Sequence, residues 1–150
     1  MKRSAAIAIA CLAFATAALA DDDAIRFLNS GKVLPTTLPF SEAVRVGNTL
    51  YLSGQIGVQP GTLKLVPGGM KEEARQTLEN IRTSLEAHGY SMRDVVKCTV
   101  MLADIGEWAA FNEVYKNFFT SPFPARSALG VNGLALGARV EVECIAAVTR

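Results

Sequence analysis

The residue in this chain best placed to do chemistry is an arginine. Arg126 stands in Phe123-Pro124-Ala125-Arg126-Ser127. Pro124 fixes φ and has no N–H to donate, so it can begin an edge strand but cannot sit inside a central one. The apolar run that follows reads as that strand, with Arg126 near its beginning. A guanidinium on a rigid element between small residues suits bidentate capture of a carboxylate or phosphate. Taken alone, the residue leaves a second reading open, a structural arginine paired with a surface acid. The single histidine, His88, has no acid or nucleophile at a recognisable spacing, so a catalytic role for it is not expected. No C-x-x-C or H-x-x-x-H spacing occurs, and no metal site is expected.

The elements that must position Arg126 are legible from periodicity. Ile25-Arg26-Phe27-Leu28 reads as a first strand. Ala43-Val44-Arg45-Val46 and Thr49-Leu50-Tyr51-Leu52-Ser53 flank Gly47-Asn48, a two-residue connection that predicts a tight hairpin. Residues 59–69 carry two prolines and three glycines and form a loop before the first helix. From Met70 to Ala87, Ala74, Leu78, Ile81 and Leu85 recur at helical spacing and mark one buried face, with charged residues filling the rest. Gly89 follows where a left-handed C-terminal residue is expected, which makes His88 a last-turn residue meeting the helix dipole.

The stretch from Asp94 to Leu102 reads as a strand with Val96, Cys98, Val100 and Leu102 on one face. Asp104-x-x-Glu107 fits a capping box, and a second helix runs from it to about Phe119. Trp108, Phe111, Tyr115 and Phe118 form its apolar stripe, read as core packing, and Asn112 beside that stripe is placed to reach a cleft. Two strands, about Ala125 to Val131 and Arg139 to Val148, close the chain. Hairpins with two helices predict a single α+β domain with both helices on one face of a mostly antiparallel sheet. In the last strand Val140, Val142, Cys144 and Ala146 face the helices, leaving Glu141, Glu143 and Ile145 on the other side. A face mixing carboxylates with apolar side chains is expected to pack partly against another subunit.

The first twenty residues belong to a different category. Lys2 and Arg3, the apolar run from Ala5 to Ala18, and Ala18-Leu19-Ala20 before three aspartates occur in the order of a secretory signal peptide cut after Ala20. The expected division is residues 1–20 as signal and 21–150 as the domain, with a periplasmic or secreted destination. Without Lys2 and Arg3, 13 basic residues face 14 acidic ones, a formal charge of −1. That is a poor footprint for nucleic acid. Cys98 and Cys144 remain, and the narrow distance and dihedral limits of a bridge between adjacent strands lead to an expectation of two buried, reduced thiols.

Three segments in order, Leu52-Ser53-Gly54-Gln55-Ile56, Phe123-Pro124-Ala125-Arg126-Ser127 and Val140-Glu141-Val142-Glu143-Cys144-Ile145-Ala146, resemble the RidA/YjgF family of imine deaminases, from about Pro39 to Val148. The resemblance implies a chorismate-mutase-like α+β fold and a homotrimer with a site in each cleft between subunits. It also implies hydrolysis of 2-aminoacrylate and related enamine or imino acids to 2-keto acids and ammonia, without metal or organic cofactor. By the same resemblance Arg126 clamps the substrate carboxylate and Glu141 orients and activates water, with Ser53, Asn112 and the backbone at Ala128 lining the pocket. For Glu141 to serve as a base near neutral pH, burial must raise its pKa. Phe40 and Ala128 depart from the family pattern, where a tyrosine and a cysteine are frequent, so the preferred substrate is less firmly implied. Two other readings stand beside this one, a non-catalytic trimer binding small carboxylates and a ribonuclease, the latter disfavoured by charge and export.

Overall fold

Alternating strands and short turns assemble the sheet hairpin by hairpin. The computed structural model describes residues 24–148, so the expected signal segment lies outside the described residues. The strands are β1 (Ile25–Leu28), β2 (Ala43–Val46), β3 (Thr49–Leu52), β4 (Gln55–Ile56), β5 (Val95–Leu102), β6 (Ala125–Gly130) and β7 (Val140–Ala147), and the helices are α1 (Met70–Ala87) and α2 (Trp108–Tyr115). They form one sheet ordered β1-β2-β3-β7-β5-β6, with β4 also pairing β7. Every pair is antiparallel except β5 with β6. The predicted hairpin is present: Val46 faces Thr49, and Gly47 takes the positive φ of 55° that the turn requires.

Helix α1 buries Ala74, Leu78, Ile81 and Leu85 completely against the sheet. It ends as its sequence predicts. Gly89 adopts φ 81°, the Tyr90 N–H donates to the Leu85 carbonyl at 2.9 Å, and the Gly89 N–H donates to the Glu86 carbonyl at 3.2 Å. These two bonds satisfy carbonyls that the helix itself leaves open. The core between helices and sheet adds Leu50, Val100, Leu102, Phe111, Val140 and Val142, all fully buried. Truncating one of the buried leucines to alanine is worth about 2–5 kcal/mol.

Five expectations are corrected. A register irregularity between Val95 and Lys97 turns Val95 inward and leaves Val96 48% exposed, because the extra residue of a bulge reverses the alternation locally. Helix α2 stops at Tyr115 rather than Phe119, and its buried stripe is Phe111, Val114 and Tyr115, while Trp108 is 45% exposed. Only half of the capping box forms: Asp104 accepts from the Gly106 N–H at 2.8 Å. Glu107 instead takes a two-pronged bond from Arg139, 3.0 Å to Nε and 2.5 Å to Nη2, a charge-assisted geometry that a backbone N–H cannot match. The polar part of α1 is not wholly solvated, since Glu73, Thr77, Asn80 and Ser84 are buried. Finally, Cys98 and Cys144 form a disulfide, with Cα atoms 4.1 Å apart. They are direct partners in the β5–β7 register, and antiparallel pairing brings opposed side chains to one face at the close approach a bridge needs.

Candidate active site

Arg126 lies on edge strand β6 opposite Cys98, so its side chain leaves the sheet on the helix-covered face. There it rests on aromatic rings of α2: its Cζ is 4.6 Å from the Tyr115 ring centre and 5.9 Å from those of Trp108 and Phe111. Such cation–π contacts hold a guanidinium in place while leaving its N–H fork open. None of the carboxylates among the described residues pairs with it, which removes the surface ion pair as its purpose. Burial raises the Tyr115 pKa, with the Arg126 charge opposing, so the phenol stays neutral under the cation. Asn112 shares the α2 face of these rings, since positions 108, 111, 112 and 115 fall on one side of a helix. Ala128, exposed and two residues beyond Arg126 on β6, shares Arg126's face.

The second cluster forms on the other side of the sheet. Glu141 on β7 pairs with Met101 on β5 and Ile56 on β4, and it is an odd number of positions from the helix-facing Cys144. Its carboxylate lies over Gly54. A methyl group on that glycine would fall 2.0 Å from Glu141 Oε1 and 2.9 Å from its Cδ, so the absence of a side chain at position 54 makes room for the carboxylate. Burial first, and the charge of Glu143 second, hold the Glu141 pKa above the usual carboxylate range, the direction a general base near neutral pH requires. Ser53, the neighbour of Gly54, donates from Oγ to the Ser41 carbonyl at 2.6 Å and from its N–H to the Glu42 carbonyl at 3.0 Å. Phe40, 48% exposed, immediately precedes that anchored segment.

The six residues singled out from sequence thus fall into two half-sites. Arg126, Asn112 and Ala128 lie on the helix side at the β6 edge. Glu141 lies on the open face with the Ser53–Gly54 step, beside the segment that carries Phe40. A guanidinium and a carboxylate on opposite faces of one sheet cannot close on one small molecule within one chain. Sequence reasoning missed a buried polar set that supports the second half-site. Glu42 accepts from Ser84 Oγ at 2.5 Å and from the Ser30 N–H at 2.7 Å, with His88 Nε2 at 3.1 Å. Asn80 donates to the carbonyls of Ile56 and Val58 at 3.0 and 2.9 Å, and Glu73 accepts from the Arg139 N–H at 2.8 Å. A signal was available: positions 73, 77, 80 and 84 repeat at the 4-3-4 spacing of the apolar stripe, displaced by one residue, and so flank the buried face.

Two helices on one face of a mostly antiparallel sheet, an arginine at one edge with no carboxylate partner among the described residues, and a carboxylate of raised pKa on the open face define a small α+β protein equipped to hold a small organic acid. A family model described as Endoribonuclease L-PSP matches residues 31–148, and the chain belongs to that family, the RidA/YjgF proteins. It is 49% identical over 121 residues to a goat (Capra hircus) protein named 2-iminobutanoate/2-iminopropanoate deaminase, covering 81% of this chain and 88% of that one. Among solved structures, RidA from an Antarctic Psychrobacter species superposes with a TM-score of 0.77 at 41% identity, covering 82% of this chain and 99% of that one. Escherichia coli TdcF with bound serine superposes with a TM-score of 0.76 at 32% identity, covering 83% of this chain and 99% of that one.

Proposed function

We propose that the protein hydrolyses small 2-imino acids, and the 2-enamine acids in equilibrium with them, to 2-keto acids and ammonia. The observation that carries this reading is Arg126, a guanidinium held on aromatic rings with no carboxylate among the described residues to occupy it. The substrate carboxylate takes that place in a two-pronged bond. Glu141 accepts a proton from a water as the water oxygen bonds to the imine carbon, and it passes that proton on to the imine nitrogen. The resulting carbinolamine then collapses: Glu141 takes the hydroxyl proton as the carbon–oxygen double bond forms and delivers it to the nitrogen, the carbon–nitrogen bond breaks, and ammonia leaves with Glu141 ionised again. Holding the acid and the water at fixed separation supplies much of the rate, since the imine carbon is already electrophilic.

The working unit in this reading is a homotrimer, with each site in a cleft between neighbours. It is supported by the opposite orientation of Arg126 and Glu141, which a second copy reconciles by bringing one chain's β6 edge to another's open face. The half-exposed Tyr51 and Leu129 add apolar area to that face, as an interface requires. The reading also places the protein in the periplasm or outside the cell, behind a signal peptide at residues 1–20. The Cys98–Cys144 disulfide supports an oxidising compartment.

The test is a coupled assay in which an amino-acid oxidase generates imines in a buffer that traps them slowly. Faster ammonia and keto-acid release on adding the mature protein is expected. Release at the uncatalysed rate for imines of several side-chain sizes, with tight binding of a keto acid, would move the assignment to a non-catalytic carboxylate binder.

A further inference from the structure

Glu42 is a carboxylate buried to 5% exposure immediately before β2, outside the residues that would touch substrate. Burying an unpaired carboxylate costs several kcal/mol, of order the penalty for any desolvated ion, and three donors meet it here. Ser84 Oγ comes to one oxygen at 2.5 Å, while the Ser30 N–H and His88 Nε2 converge on the other at 2.7 and 3.1 Å. A fourth bond fixes the backbone, because the Glu42 N–H donates to Asn29 Oδ1 at 2.9 Å. His88 can serve as donor either as the neutral Nε2–H tautomer or as the imidazolium. Burial raises the Glu42 pKa, and the bonds from Ser84, Ser30 and His88 outweigh it and hold the group below its usual value. The carboxylate therefore stays ionised at neutral pH.

Replacing a buried charged group together with its partners by apolar side chains of similar volume is often neutral or stabilising, so stability alone does not call for this set. What a carboxylate with donors on both oxygens adds is direction. The direction is passed on to the Glu141 half-site through a short chain of contacts. Immediately before Glu42, the Ser41 carbonyl takes the Ser53 hydroxyl, and the Glu42 carbonyl takes the Ser53 N–H. Ser53 leads into Gly54, and Gly54 underlies the Glu141 carboxylate with no room for even a methyl group. The rigid end of this chain is α1, whose last turn supplies Ser84 and whose C-cap residue is His88.

We propose that Glu42, gripped by Ser84 and His88, is a positioning residue for the site: it fixes the Ser53–Gly54 step against Glu141 and so sets where the base sits. This rests on the deaminase reading for its catalytic consequence, though not for its geometry. Glu42→Gln keeps the connection, since Ser84 can turn its hydroxyl to accept from the new amide while the amide oxygen serves Ser30 and His88. Glu42→Ala removes it and leaves three donors without a partner.

The experiment compares Glu42→Gln, Glu42→Ala and Ser84→Ala with wild type at a temperature where each is folded by circular dichroism. Two quantities are read: kcat and KM for an imine, and the titration of Glu141 by carboxyl ¹³C NMR. Glu143 on the same strand and the flanking Met101 and Ile56 are untouched by these changes. Glu42→Ala is expected to lose kcat on the order of tenfold or more with KM within about threefold, because the base is displaced while Arg126 is not. Its Glu141 titration moves to lower pH as water gains access. Glu42→Gln stays near wild type in both, and Ser84→Ala falls between and serves in place of Glu42→Ala should that variant fail to fold. A loss of thermal stability with wild-type kcat and an unmoved Glu141 titration would overturn the proposal and leave Glu42 a structural residue. An inactive wild type would refute the deaminase reading alone, and the titration would still decide the positioning.

Discussion

Gly54→Ala tests the Glu141 half-site with the smallest possible perturbation. The Gly54 backbone lies outside the left-handed region, so alanine is conformationally acceptable and stabilises through the unfolded chain by about 0.4–1 kcal/mol. Its methyl, however, would sit 2.0 Å from Glu141 Oε1, whereas ordinary contact begins at 3.4 Å. The carboxylate must withdraw by the difference, about 1.4 Å. The displaced atoms end a flexible side chain, so the cost is that of an off-rotamer torsion, about 0.5–1.5 kcal/mol. The two effects nearly cancel, and the melting temperature should change little. Turnover should not be spared: a misplacement of about 1 Å costs on the order of 100-fold, equivalent to about 2.7 kcal/mol in the barrier. In an ammonia-release assay kcat is expected to fall on that scale with KM nearly unchanged, since Arg126 is on the other half-site. Wild-type kcat in a folded Gly54→Ala protein would refute the reasoning, because it would mean that the position of the Glu141 carboxylate over Gly54 does not matter to the reaction.

Arg126→Lys should lose activity nearly as completely as Arg126→Ala, because lysine keeps the charge but not the planar fork; steady-state kinetics check this, and wild-type rates in the lysine variant would remove Arg126 from its role. Glu143→Gln takes away the charge that helps raise the Glu141 pKa. Glu141 must be ionised to accept a proton, so the acid limb of the kcat/KM profile should move to lower pH, and an upward shift would contradict the assignment. The Cys98→Ala, Cys144→Ala double variant should be less stable in denaturant by about 4 kcal/mol, the chain-entropy value for closing a loop of this size, the two cysteines being 46 residues apart. Thiol titration of the wild-type protein, native and then denatured without reductant, should find no thiol from this pair in either state.

What can be read along the chain was legible, because it depends on neighbours a few residues away. The apolar spacing of Ala74, Leu78, Ile81 and Leu85 and the left-handed Gly89 follow from helix geometry alone. The Gly47-Asn48 turn follows from hairpin twist. Alternation in β7 put Glu141 and Cys144 on opposite faces before any strand was paired. What the sequence left undecided depends on which strands and helices meet. Cys98 and Cys144 bond because β5 and β7 are neighbours in register, and one residue of slip would have separated them. The bulge that turns Val96 outward is a property of the pairing, not of either strand. Glu107 serves Arg139 rather than its own helix because a chain segment 32 residues away brings a guanidinium to it. The same holds at the site. Glu42 with Ser84 and His88, and Gly54 with Glu141, are separated by 42 residues or more. Their contacts exist only once the sheet and α1 have closed on one another, when desolvation gives a buried carboxylate its need for donors and a missing side chain its use.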